Sequence, residues 1–214
     1  MRIRSIAFAG VASSVAALTL LAAAPVAQNT GAAAPAKAAA PAGAEMFDVD
    51  STHSKALFRV QHLGAGPFWG RFNDVSGTFS AADGKPDGVS FDISIKVDSV
   101  DTGTEKLDGH LKSPDFFNAK EHPNLTFKST AVKAGPKPGW LEVTGDLTMN
   151  GVTKPITAMV EWTGTKSGPM GRRAGYEATF TVKRTDWNIN YMAEGGALGT
   201  DVRIVVGLEG VAKK

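Results

Sequence analysis

Apolar and polar residues alternate with a period of two along most of the chain beyond Phe47, the spacing that places every second side chain on one face of a strand. The clearest run is Val89 to Asp98. There Val89, Phe91, Ile93, Ile95 and Val97 interleave with Ser90, Asp92, Ser94, Lys96 and Asp98, which predicts one buried and one wet face, as in an antiparallel sheet. Two strands are predicted before it. Phe47 to His62 has Ala56, Phe58 and Val60 on one face and Leu57, Arg59 and Gln61 on the other, and Phe72 to Ser80 puts Val75, Gly77 and Phe79 together. Five follow it: Leu125 to Val132, Trp140 to Met149, Val152 to Trp162, one marked by Tyr176, Ala178, Phe180 and Val182, and one marked by Val202, Ile204, Val206 and Leu208. Asn150-Gly151 between the fifth and sixth is a strong hairpin signal, because both central residues of such a turn need positive φ.

Eight amphipathic strands at this spacing predict an all-β fold, a sandwich or a closed antiparallel barrel. Closure is favoured because it removes exposed sheet edges, and an eight-stranded barrel is wide enough for one small ligand. The inward set mixes rings (Phe58, Phe79, Phe91, Phe127, Phe180) with small residues (Ala56, Gly77, Ala158, Ala178). The small ones would leave room along the axis; the plainer alternative is a filled core.

One connection interrupts the alternation. Asp108 to Thr130 reads DGHLKSPDFFNAKEHPNLTFKST, and a short helix is expected over Glu105 to Leu111, capped by the Thr104 hydroxyl and ended before Pro114. Phe116 and Phe117 follow at once, adjacent rings that must dock into a core or cover an opening. Gly64 to Gly70, GAGPFWG, is expected to be a second ring-bearing loop, with Phe68 and Trp69 near one end of the barrel.

Composition narrows the setting. Met1 to Arg4 carry two arginines, Ser5 to Ala24 carry no charge, and alanines crowd the end of that run; residues 1–27 are therefore expected to be a cleaved signal peptide that directs the protein to the periplasm or beyond. Residues 28–45 are almost wholly Ala, Pro and Gly with one Lys37, too little apolar surface to offset ordering entropy, and are expected to be a disordered linker before a domain spanning 46–214. The chain has no cysteine, which excludes disulfides, thiolate chemistry and sulfur-ligated zinc. With Arg2 and Arg4 removed the charge is near balance, which argues against nucleic acid as a partner.

The segments VDSTHSKALFRVQH, DSVDTGTEKLDGHLKSPDFFNAKEHPNLTFKST, VTGDLTMNGVTKPI and KRTDWNI, in that order from about Phe47 to Gly210, resemble the YceI-like family of bacterial periplasmic proteins. The resemblance implies a lipocalin-like eight-stranded barrel with a helix near its mouth. It also implies a long apolar ligand along the axis: a polyisoprenoid, an isoprenoid quinone or a fatty amide. There is one departure. Where the family has arginine, then aspartate, phenylalanine and glycine, this chain has Arg184, Thr185, Asp186, Trp187 and Asn188, so asparagine stands in the glycine's place.

On this reading the ligand-binding residues are the inward Phe58, Val60, Phe79, Phe91, Ile93, Phe127, Val143 and Phe180, with Phe68, Trp69, Phe117 and Trp187 near an opening. The expected partner is a long-chain apolar molecule bound by a monomer or homodimer, with no other cofactor. Other chemistry has less support. His53 and His62 are nine residues apart on one predicted strand, facing opposite sides; His110 and His122 could meet, yet no cysteine joins them in a metal site. Asp101, Asp108, Asp115 and Glu121 could supply an acid and a base, but no nucleophile elbow or HExxH accompanies them. Asp108 and Asp115 are expected to cap helix starts or to pair with Lys106, Lys112 and Arg184. An enzyme acting through His110 and neighbouring carboxylates, or an interaction protein with a filled core, are the rival readings.

Overall fold

The computed structural model describes residues 43–213, so the expected signal peptide and nearly all of the expected linker lie outside the described residues. Folded structure begins at Glu45, the last residue assigned to that linker, which opens the first strand. The strands are β1 (Glu45–Val49), β2 (Lys55–His62), β3 (Gly66–Phe72), β4 (Val75–Ala81), β5 (Ser90–Lys96), β6 (Val100–Asp101), β7 (Asn124–Ala134), β8 (Trp140–Met149), β9 (Val152–Gly168), β10 (Gly171–Lys183) and β11 (Leu198–Ala212), with one α-helix, α1 (Glu105–Lys112), between β6 and β7.

These eleven segments make eight barrel strands, because the first three are each broken once. β1 and β2 both run antiparallel along β11, with Phe47 opposite Ala212 and Ala56 opposite Val206. β4 pairs β1 and β3 pairs β2, with Phe79 opposite Phe47 and Phe72 opposite Ala56. β5 then pairs β4, while β6, reached through a 3-10 turn at Val97–Ser99, pairs β3. From β7 to β11 each strand pairs the next, all antiparallel. The result is an up-and-down barrel closed between its first and last strands, which leaves no long free edge.

The predicted alternation carries over onto the buried faces. Val75 and Phe79, Phe91 and Ile93, Leu141 and Val143, Tyr176 and Val182, Val206 and Leu208 all point inward. β7 needs one adjustment: the register with β8 steps between Ser129 and Ala131. The extra residue is a β-bulge that moves the inward positions from Leu125 and Phe127 to Val132. The Asn150-Gly151 turn has φ of 47° and 73°, as the hairpin requires.

Three expectations are corrected. GAGPFWG is not a loop: Gly66 to Gly70 belong to β3, paired residue by residue with β2 around a tight turn at Leu63 to Ala65. Gly70 stands directly opposite Phe58, whose ring occupies the space a Cβ there would need. Gly77 does not open space along the axis either. Its φ is 118°, and a Cβ would collide with the Asp92 carbonyl of the neighbouring strand, so the residue serves close backbone approach. Thr104 stands at the N-cap of α1, but its hydroxyl makes no capping bond. The entry is fixed instead by Asp108, whose carboxylate accepts the Thr102 N–H at 2.8 Å and the Thr102 hydroxyl at 2.7 Å.

Candidate functional site

The barrel interior is part core and part cavity. At the end where β1 meets β11, Phe47 stacks on Phe79 at 5.5 Å, and Tyr176 meets Phe79 and Phe91 edge-on at 5.5 and 5.1 Å. This aromatic plug closes that end. The Tyr176 hydroxyl is buried and makes no hydrogen bond of normal length; burial, with the Asp83 charge second, pushes its pKa up and keeps the phenol neutral.

From the plug a cavity of about 430 Å³ runs toward the α1 end, within the size range of small-molecule sites. Ala56, Ala158 and Ala178 leave the width, and Val160, Val206 and Leu208 form wall between them. Nearly every lining group is apolar; the polar side chains that reach it gather at the α1 end, chiefly His62, His110, Arg184 and Tyr191.

Of the residues expected to contact a ligand, Phe58, Val60, Phe68, Phe91, Ile93, Phe117, Phe127, Val143 and Phe180 line this cavity, and Trp69, Phe79 and Trp187 do not. Phe79 is fully buried inside the plug. Trp69 follows Phe68 on β3, so the period of two turns it outward, where it is 46% exposed. Trp187 is buried in the 3-10 turn Arg184–Trp187 and donates its indole N–H to the Leu147 carbonyl at 3.2 Å. Phe116, expected with Phe117 to dock or to cover an opening, also lines the α1 end, and Leu107, Leu111, Ile189, Tyr191 and Met192, missed by the sequence reading, complete it. The helical spacing of Leu107 and Leu111, on one face of a four-residue step, was the available signal.

His110, Phe116 and Tyr191 pack as three rings with centroids 4.8 to 5.2 Å apart, and His110 Nε2 lies 2.9 Å from the Asp115 carboxylate. Phe117 turns the other way, edge-on to Phe72 at 5.4 Å. His122 sits against Gly151 instead, so the two histidines have different neighbours. The four acidic residues considered for catalysis are dispersed among local partners: Asp101 with Arg71 and Asn73, Asp108 with Thr102, Asp115 with His110, Glu121 with Asn118. None of them lines the cavity.

Arg184 does not pair with Asp108 or Asp115. It is 4% exposed and donates to three carbonyls, Nε to Gly199, Nη1 to Ile189 and Nη2 to Leu198, at 2.7 to 2.8 Å. Burial lowers its pKa. The side chain ties the loop after β10 to the start of β11. At the opposite end of the barrel Asp50, His53 and Glu209 bring ligand atoms within 4.8 Å of one another. Arg173 Nη1 already donates to both carboxylates, so this cluster is an ion-pair network. No helix among the described residues is long and apolar enough to cross a membrane.

Comparison with known proteins agrees with this architecture. The family model for the YceI-like domain matches residues 47–210. Protein YceI of Escherichia coli O157:H7 is 38% identical over 169 residues, covering 78% of this chain and 86% of that protein. Among solved structures, the YceI protein of Campylobacter jejuni superposes with a TM-score of 0.63 at 28% identity, over 72% of this chain and 90% of that one. A polyisoprenoid-binding domain from Saccharophagus degradans, implicated in plant cell wall breakdown, shares the fold with a TM-score of 0.61 at 19% identity, over 78% of this chain and 98% of that one. By sequence and by fold, this chain belongs to the YceI-like family.

Proposed function

We propose that the protein is a carrier that takes the apolar tail of a long-chain amphiphile, a polyisoprenoid, an isoprenoid quinone or a fatty amide, into the barrel and works in the periplasm after its leader is removed. The observation that carries this reading is the cavity: about 430 Å³ of space, closed at one end by an aromatic plug and walled almost entirely by apolar side chains. Such a space stays dry and gains by filling with hydrocarbon. The polyisoprenoid-binding domain that shares this fold supports the choice of ligand class. Burial of a tail contributes about 0.8 kcal/mol per methylene, so affinity needs little polar recognition, in keeping with how few polar groups reach the cavity. Of the groups an enzyme reading would use, His110 and its neighbouring carboxylates, only His110 lines the cavity, and its carboxylate partner Asp115 is exposed.

Native mass spectrometry of the protein recovered from a bacterial periplasm, followed by organic extraction, tests the proposal. A long-chain amphiphile released intact at one per barrel is the expected result. A barrel that arrives empty and stays empty after incubation with quinones, polyprenols and fatty amides would sink it in favour of an interaction protein.

A further inference from the structure

Six described non-glycine residues have φ in the left-handed region: Leu63, Asp83, Asn118, Asn150, Asn188 and Met192. Four are Asp or Asn, which tolerate that conformation through local hydrogen bonds. Leu63 (φ 50°) and Met192 (φ 51°) have no such means, and both are also among the exposed large apolar residues, at 62% and 43%. Each therefore combines an unfavourable backbone with an unfavourable surface. They lie on the same end of the barrel. Leu63 N–H donates to the Ala197 carbonyl at 2.7 Å, and Leu198 N–H donates to the Met192 carbonyl at 3.1 Å, which binds the β2–β3 turn to the loop before β11. Tyr191, 38% exposed, stands next to Met192, and both line the cavity from inside. Fixed charge is almost absent from these two loops. Apart from His62, residues 62–66 and 188–199 contain a single acidic or basic side chain, Glu194, in a chain of which 21% is Asp, Glu, Lys or Arg.

We propose that this rim docks on a phospholipid bilayer, with Leu63, Tyr191 and Met192 entering the boundary between headgroups and acyl chains. Strain held at two apolar positions on one opening is the pattern expected where structure serves an interaction rather than stability. A bilayer suits the rim better than a protein partner does, since the rim offers apolar area and one amphipathic ring at headgroup level but almost no charge by which a partner would be chosen. The surface is also continuous with the cavity through Tyr191 and Met192, so a tail could pass from bilayer to barrel without crossing water. That purpose rests on the carrier reading; the docking does not. Two loops without a lysine or an arginine predict binding to neutral lipid that is indifferent to salt.

The test is flotation of the protein recovered from a bacterial periplasm with phosphatidylcholine vesicles at low and high salt, beside Leu63→Asn and Met192→Asn. Asparagine accepts the left-handed backbone, so both variants are expected to keep or raise the thermal midpoint while vesicle partitioning falls about tenfold, the scale of losing one buried apolar side chain. Leu63 does not line the cavity. Uptake of a pyrene-labelled fatty amide from solution is therefore expected to be the same in Leu63→Asn and the parent. If the parent floats with vesicles but never takes up the probe, the docking stands and the carrier reading fails. A parent that ignores neutral vesicles, or a Leu63→Asn variant that floats equally well, overturns the docking. So does a dimer that dissociates on Leu63→Asn substitution, which would make the rim a contact between two copies.

Discussion

At the scale of single residues, the asparagine that stands where the family resemblance implies a glycine is explained by its backbone. Asn188 closes the 3-10 turn Arg184–Trp187 with φ 60° and ψ 19°, a left-handed conformation that glycine adopts freely and asparagine adopts at small cost. The turn is fastened on both sides, by the Asn150 amide donating to the Trp187 carbonyl at 3.2 Å and by the Trp187 indole, so the conformation cannot relax cheaply. Asn188→Ala is expected to destabilise by about 1–2 kcal/mol, whereas Asn188→Gly stays within a few tenths of the parent. Urea unfolding midpoints measure both, and equal stability of the alanine variant would mean that the turn is not held. The tolerance of asparagine for positive φ was legible from residue type alone. The use of Gly70 and Gly77 was not, because what excludes a side chain there is the Phe58 ring or the Asp92 carbonyl of another strand, far away in the sequence.

At the scale of elements, periodicity reveals strand faces but not where a strand bends. The inward residues of β5, β8, β10 and β11 follow directly from alternation, since each has one neighbour sheet face and one wet face. β3 was hidden because two glycines and a proline weigh locally against a strand, and only its pairing with β2 overrides them. The breaks between β3 and β4, and between β5 and β6, are held by polar side chains. Arg71 on β3 grips Asp101 on β6 at 2.8 Å, and the Asn73 amide donates to the same carboxylate at 3.1 Å. Arg71 foremost, then the Gly103 N–H and Asn73, lower the Asp101 pKa from 3.8 to about 2. A carboxylate depressed in the folded state contributes stability above its unfolded pKa, and that contribution is lost as pH falls from about 4 toward about 2. Asp50, held down by Arg173 and then His53, has the same sign and weakens the other end of the barrel in more acid solution. Asp101→Asn is thus expected to lower stability at neutral pH and to flatten its decline between about pH 4 and about pH 2. Denaturant unfolding across that range, parent against variant, decides it: parallel curves would show that the Arg71 pair contributes nothing.

At the scale of the whole molecule, closure of the sheet and division of its interior are separate outcomes of one sequence. Large rings concentrated where β1, β4, β5 and β10 meet fill one end solidly, while Ala56, Ala158 and Ala178 on β2, β9 and β10 leave the rest open. Alternation predicts which residues face inward, yet filled core and cavity use the same residue types, and nothing in it separates Phe79 in the plug from Phe91, its direct cross-strand neighbour on the cavity wall. That division sets a length. A tail entering from the α1 end can advance until it meets Phe91 and Tyr176 at the plug. In a homologous series of fatty amides, affinity is therefore expected to rise about fourfold per methylene, the equivalent of about 0.8 kcal/mol, and then to level off once the tail reaches the plug. Ala158→Leu with Ala178→Leu fills space midway along this path. The empty protein should be no less stable, because the added methyl and methylene groups occupy apolar void instead of displacing packed neighbours. The plateau, in contrast, should move to shorter tails by several carbons. Titration calorimetry across the series, with the thermal midpoint of the empty variant as the control for folding, separates the outcomes. A plateau that stays at the same chain length in a stable double variant would show that the tail does not lie along this axis, and the site would have to be sought outside the barrel.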